Sequence, residues 1–258
     1  MILALDVGNT HTVMGLMDDG EIRNVTRMAS DTGKTEFEYA VMIDALLGFS
    51  KLSIENVSGA IISSVVPPIT STLSKAVEIV TGIKPMVVGA GLKTGVNIRI
   101  DNPSETGSDL VVAAAAALKY YRPPMIIIDM GTATTISVID RDGSFIGGAI
   151  APGVMLSLNA LTDGASLLPK INLEPPGKSI GRNTVDCMKS GGVLGAASML
   201  DGMIDRMQAE LGTKDMTIIA TGGISGSIIP LCTHKIEIEE NLLLKGLYVI
   251  YEKNVKAR

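Results

Sequence analysis

One short pattern occurs twice in this chain of 258 residues. Ile2-Leu3-Ala4-Leu5-Asp6-Val7-Gly8-Asn9-Thr10 is matched by Ile126-Ile127-Ile128-Asp129-Met130-Gly131-Thr132-Ala133-Thr134, with Asp6 and Asp129 123 positions apart. Each copy is an apolar run that ends on an acid and enters a Gly/Thr turn, the signature of a buried strand delivering a carboxylate to a loop. Each then continues as a hairpin. Thr12–Met17 and Ile22–Arg27 flank Asp18-Asp19-Gly20, and Thr135–Asp140 and Ser144–Ile150 flank Arg141-Asp142-Gly143. A period near half the chain length predicts two duplicated α/β halves rather than a solenoid. The expected division is residues 1–120 and 121–258, with a hinge near 119–124 where Pro123-Pro124 punctuates the chain.

Between these landmarks the spacing predicts helices over Thr35–Phe49, Ile69–Thr81, Leu110–Tyr121, Val185–Leu211 and Asn241–Tyr251. It predicts further strands at Ala60–Val65, Met86–Val88 and Met216–Ala220. Phe37, Val41, Leu46 and Phe49 are the candidate inner face of the first helix. Met188, Met199 and Met203 suggest an apolar excess on the helical stretch after Thr184, suited to a homodimer contact. Apolar types make up 46% of the chain and charged types 19%, which excludes disorder. A net charge of −5 with no Trp, five Tyr and three Phe argues against nucleic-acid binding. The longest apolar run, Leu110–Leu118, is short of the ~20 residues a membrane span needs. Cys187 and Cys232 give neither a disulfide framework nor metal-ligand spacing, and no basic lead-in precedes Met1–Leu5, so a cytoplasmic, soluble protein is expected.

Three glycine turns follow apolar strands: Asp6–Thr10, Asp129–Thr132 and Thr221-Gly222-Gly223. Such turns converge backbone N–H groups on phosphate, and a carboxylate at the strand tip can hold hydrated Mg²⁺. Gly33-Lys34-Thr35 is not a P-loop, because Met28 stands where its first glycine belongs. Gly89-Ala90-Gly91 is not a dinucleotide fingerprint, because Thr94 occupies the third glycine position. His234 is expected at the surface, and His11 lies inside the first turn. Asp109, in Asn102-Pro103-Ser104-Glu105-Thr106-Gly107-Ser108-Asp109, reads either as a helix cap or as a catalytic acid; spacing leaves both open.

Taken together, Asp6–Thr10, Ile62–Pro68, Asp101–Glu105, Asp129–Thr135, Gly147–Gly153, Gly181–Thr184 and Ala220–Gly223 resemble the type III pantothenate kinases. That resemblance implies the actin-like ATPase fold: α/β, two duplicated ribonuclease-H-like domains with mixed sheets flanked by helices. It implies that Asp6, Val7, Gly8, Asn9, Thr10, His11, Thr12 and Val13 form the first ATP phosphate loop, that Thr132 binds ATP from the second half, and that ATP acts with Mg²⁺. It also implies that Asp129 holds a monovalent cation, K⁺ or NH₄⁺, that Asp109 is the base, and that Thr184 reaches pantothenate across a homodimer interface. Ile100, Gly107, Ser108, Asp109, Leu110 and Thr184 fall in the substrate region. There the family carries Arg where this chain has Leu110, and Tyr where it has Ile100. The implied activity is phosphorylation of pantothenate to 4'-phosphopantothenate, the first step of coenzyme A biosynthesis. A paralogous kinase for another small alcohol and a nucleotide-binding regulator without turnover are the alternatives.

Overall fold

The computed structural model describes residues 1–49 and 54–256, and the chain separates into two compact units. Unit 1 comprises Met1–Val96, Asn102–Tyr120 and Asn241–Arg258; unit 2 comprises Asn97–Asp101 and Tyr121–Glu240.

Unit 1 is built on β1 (Ile2–Val7), β2 (His11–Asp18), β3 (Glu21–Ala29), β4 (Gly59–Ser64) and β5 (Met86–Val87). Among the described residues they form a five-stranded sheet in the order β3-β2-β1-β4-β5, antiparallel through the first three and parallel from β1 to β5. Strand alternation divides the core into two layers. Leu3, Leu5 and Val7 pack with α1 (Glu36–Phe49) and α2 (Pro67–Thr81); Ile2 and Ala4 face α3 (Ser108–Tyr120) and α8 (Leu242–Val255). By the same alternation Asp6 lies on the α3 side.

The last helix corrects the expected division, because residues 241 onward belong with unit 1 rather than unit 2. The cause is the alanine run of α3. Ala113–Ala117 have little volume of their own, and α8 approaches so closely that a Cβ at Gly246 would collide with the Val112 carbonyl. Burial of Leu242, Leu244, Leu247 and Ile250 completes that layer.

A second correction concerns α1. Phe37, Val41 and Phe49 are exposed at 66%, 70% and 85%, while Tyr39, Ala40, Ile43 and Leu47 are buried. The helix is apolar all round, so spacing alone did not select a face. Tyr39 decides it, because its hydroxyl donates to the Asp31 carbonyl (2.9 Å) and accepts from the Asp31 N–H (2.8 Å), which lets the ring be buried.

Unit 2 repeats the plan. It contains β6 (Asn97–Ile98), β7 (Met125–Met130), β8 (Ala133–Ile139), β9 (Ser144–Pro152), β10 (Thr217–Thr221) and β11 (Glu237–Ile238). The order β9-β8-β7-β10-β11 mirrors unit 1, with β6 added beyond β9. Ile126, Ile128 and Met130 face α4 (Val154–Gly164) and α6 (Gly195–Leu211). The stretch expected as one helix from 185 to 211 is α5 (Thr184–Lys189), a π-helical segment Ser190–Leu194, and α6. Its methionines correct the expected apolar excess. Met188 is buried at 6%, and Met199 and Met203 pack on the core of unit 2 itself. α7 (Ser225–Ile228) completes the helices. Among the described residues no helix is long and apolar enough to cross a membrane.

Candidate active site

In unit 1 Val7 of β1 and Thr12 of β2 are the last pair, so four residues, Gly8–His11, lie between them. The Gly8 N–H donates to the His11 carbonyl (3.0 Å), and the Ser30 N–H donates to the Thr10 carbonyl (3.0 Å). Thr12 is fully buried with its hydroxyl 2.9 Å from that of Ser30, and Val13 is half-buried, whereas Asn9, Thr10 and His11 are exposed. Polar groups are thus presented outward on a loop anchored at both ends.

Asp109 lies inside α3 rather than before it. A capping aspartate precedes its helix and accepts from the N–H two or three residues on. Here Oδ1 accepts from the adjacent Leu110 N–H (2.9 Å). Burial pushes the Asp109 carboxyl above the ordinary carboxylate range, against smaller lowering by the backbone N–H groups of Leu110 and of Asp109 itself. A partly desolvated carboxylate is a stronger proton acceptor near neutral pH than a solvated one. Gly107 makes this placement sterically available, because a Cβ there would strike Asp109 Oδ1. Ser108 and Leu110 are half-buried beside it.

In unit 2 the corresponding loop runs from Met130 to Thr134 and encloses three residues, Gly131–Ala133. The Gly131 N–H donates to the Ala133 carbonyl (3.0 Å). Asp129 occupies the same place in the strand as Asp6, each half-buried between buried neighbours. Two glycines from elsewhere in unit 2 press on this loop. The Gly153 N–H donates to the Thr132 carbonyl (3.1 Å), and a Cβ on Gly153 would collide with the carbonyls of Gly131 and Thr132. Gly222, at φ +98°, would place a Cβ 2.6 Å from the Met130 backbone. The predicted third glycine turn therefore serves as a wall of the second.

This donor set fits a nucleotide's phosphates with a divalent ion. It offers exposed loop residues, with Asp129 Oδ1 3.9 Å from where a Gly131 Cβ would lie, and no group of three metal-binding side chains occurs among the described residues. Mg²⁺ held by substrate phosphates and retained waters needs no larger protein cage.

The remaining predicted residues separate between the units. Ile100 belongs to unit 2, its Cγ2 4.0 Å from a Cβ position at Gly147. Thr184 is exposed at the start of α5, which Asn183 caps by accepting from the Asp186 N–H (2.9 Å). His234, expected at the surface, is half-buried with Nε2 3.0 Å from Asp205 Oδ1. The sequence reading included Gly153 and Ser63 in its motifs without giving either a role, and it named Ser108 only as part of the substrate region. Pro152-Gly153 at a strand end was the available signal for a role at Gly153.

A family model for type III pantothenate kinase matches residues 2–206. The chain belongs to the type III pantothenate kinase family. Solved structures agree on the fold. A protein from Campylobacter jejuni described as a Baf family transcriptional activator superposes with a TM-score of 0.63 at 15% identity, covering 98% of this chain and 99% of that one. The (R)-2-hydroxyglutaryl-CoA dehydratase component A of Acidaminococcus fermentans gives 0.56 at 16% identity, covering 100% and 99%. A protein from Sinorhizobium meliloti described as a 2-dehydro-3-deoxygalactonokinase gives 0.58 at 10%, covering 98% and 96%. At these identities the likeness establishes the fold alone: two α/β domains with mixed sheets flanked by helices. Family membership adds the reaction class, a kinase that uses ATP with a divalent metal on a small molecule.

Proposed function

We propose that this protein transfers the terminal phosphoryl group of ATP to the hydroxyl of pantothenate, giving 4'-phosphopantothenate in the first step of coenzyme A biosynthesis, in the cytoplasm. The observation that carries this reading is Asp109, a half-buried carboxyl near the start of α3 whose proton affinity is raised by burial. Phosphoryl transfer asks mainly for positioning, charge neutralisation and a base at the attacking hydroxyl. In this reading Asp109 takes that proton, Asp6–Val13 and Thr132 are the ATP-binding residues of their respective units, and Asp129 holds a monovalent cation. Bound Mg²⁺ supplies neutralisation of phosphate charge. A regulator without turnover has no use for a carboxyl desolvated in this way.

Leu110 favours a second reading, a kinase for a less acidic alcohol. It stands next to Asp109 without charge or donor, and burial and backbone N–H groups alone act on the Asp109 carboxyl, with no cation among the causes. An Arg there would pair with a substrate carboxylate. An ADP-release screen over pantothenate and related alcohols tests both readings. Pantothenate is expected to turn over, and Leu110→Arg with Ile100→Tyr is expected to raise its kcat/KM by about 10- to 150-fold, the scale of one charge-assisted hydrogen bond. Release with none of the alcohols overturns the kinase reading.

We also propose a homodimer in which Thr184 contributes to the partner's site. Its support is the apolar exposure flanking that residue in the sequence: Ile180 at 82%, and Val185. Light scattering at micromolar concentration should give twice the chain mass; an active monomer would refute it.

A further inference from the structure

Ser63 and Ser108 lie outside both phosphate turns, yet they join one turn to the base. Resting on the kinase reading above, we propose that they are positioning residues that hold Asp109 in register with the first phosphate turn.

Ser63 pairs with Asp6 in the parallel β1–β4 register. Alternation puts both on the α3 side of the sheet, the side on which Ile61 of β4 and Ala4 of β1 pack with Val112 of α3. Ser63 is fully buried, and a buried hydroxyl is costly unless bonded. Its Oγ lies 3.1 Å from the Ser108 Oγ, one residue before Asp109. The direction of that bond is fixed by the next one. Ser108 Oγ donates to the Ser64 carbonyl (3.0 Å), which has no proton to return, so Ser63 donates and Ser108 accepts.

The far end of the chain is equally constrained. The Ser64 Oγ accepts from the Thr70 hydroxyl (2.7 Å) and from the Val66 N–H (3.1 Å). The Val65 N–H donates to the Val7 carbonyl (3.1 Å), at the last residue before Gly8. The first turn, the end of β4 and the start of α3 are therefore linked by directed bonds. Apolar packing alone would tolerate sliding of α3 along the sheet, whereas a directed hydroxyl chain does not.

The test compares Ser63→Ala, Ser108→Ala, the double variant and Ser63→Cys. Two readouts are taken: steady-state kinetics with ATP and the accepted alcohol, and ¹³C NMR titration of the Asp109 carboxyl, assigned by its loss in Asp109→Asn. Each alanine variant should lower kcat on the order of 10- to 100-fold, the scale of a small misplacement of a reacting group, with KM for ATP unchanged. The Asp109 titration should fall toward the ordinary carboxylate range as water reaches it. The double variant should be no worse than the poorer single, and Ser63→Cys, which keeps a small donor, should regain part of the rate. Unchanged kcat and titration, or losses that multiply in the double variant, would overturn the proposal. If the wild-type protein turns over no alcohol, the kinase reading fails, and the titration still decides the serine chain. Should Ser63→Ala not fold, Ser108→Ala at the half-buried helix start carries both readouts.

Discussion

The turn after β1 and the turn after β7 share one sequence pattern but are held in different ways. The first encloses four residues, is tied at its ends, and leaves Asn9, Thr10 and His11 exposed. The second encloses three, and Gly153 and Gly222 touch its backbone from outside. Unit 1 places the Asp109 carboxyl near the start of α3, one residue after Ser108, whose hydroxyl is bonded to the end of β4. The two turns thus share a sequence pattern, but one is locked by steric contact from outside while the other is tied at its ends and, in the function proposed above, served by the base Asp109.

The sharpest test of this division is Asp109→Asn. Removing the base is expected to cut kcat by roughly 10²-fold or more while nucleotide affinity is kept. Stability should move the other way. The folded pKa of Asp109 is raised, so its protonated form favours folding at low pH, and that advantage is lost as pH rises through the folded value. At neutral pH a desolvated charge is being carried, and Asn removes it. A rise in Tm at pH 7, shrinking as the pH is lowered, should be seen by calorimetry. Full turnover in the variant would reduce Asp109 to a structural residue and erase the asymmetry between the halves.

The two turns themselves are compared by Gly153→Ala and Gly8→Ala. A Cβ at Gly153 meets the carbonyls of Gly131 and Thr132, backbone atoms that cannot move without moving the loop; at Gly8 it meets the His11 carbonyl at 3.2 Å, a contact a small shift relieves. Gly153→Ala should therefore weaken binding of a non-hydrolysable ATP analogue by about 10-fold or more, measured by calorimetry with Mg²⁺. Gly8→Ala should weaken it by less. Equal losses would mean the two turns are equally rigid.

Much of this was legible in the sequence for physical reasons. The repeated apolar-Asp-x-Gly run constrains a strand and its turn locally, so β1, β7 and their hairpins were readable, as was the acid that each strand presents. Asp109 was readable as a base only through the family resemblance, since a place between a glycine and an alanine-rich helix fits a helix cap as well. What escaped depends on contacts between distant segments. The choice of α1 face rested on Tyr39 finding Asp31. The seat of α8 rested on Gly246 meeting Val112. Ser63 and Ser108 are 45 positions apart, and nothing in spacing brings two serines together. Likewise the one-residue difference between the turns becomes visible only when strand pairing is known, because the sequence copies align through Gly8 and Gly131.

The smallest expected effect concerns the cation at the second turn. Asp129 is a single carboxylate, and no group of three metal-binding side chains occurs among the described residues. A site of one carboxylate with backbone carbonyls nearby suits a large, weakly hydrated ion, whereas a dedicated Mg²⁺ cage demands octahedral oxygens and retained waters. We therefore expect the rate in K⁺ to exceed that in Na⁺ severalfold at constant ionic strength and saturating Mg²⁺. Asp129→Asn should abolish the difference, while Gly8→Ala, in the other unit, should leave it in place. The contrast matters because the locked turn of unit 2 can select ion size only if its carbonyls are fixed. Gly153→Ala should accordingly blunt the K⁺ preference even at ATP concentrations high enough to restore binding. Equal rates in both salts for the wild-type protein would remove the cation role from Asp129.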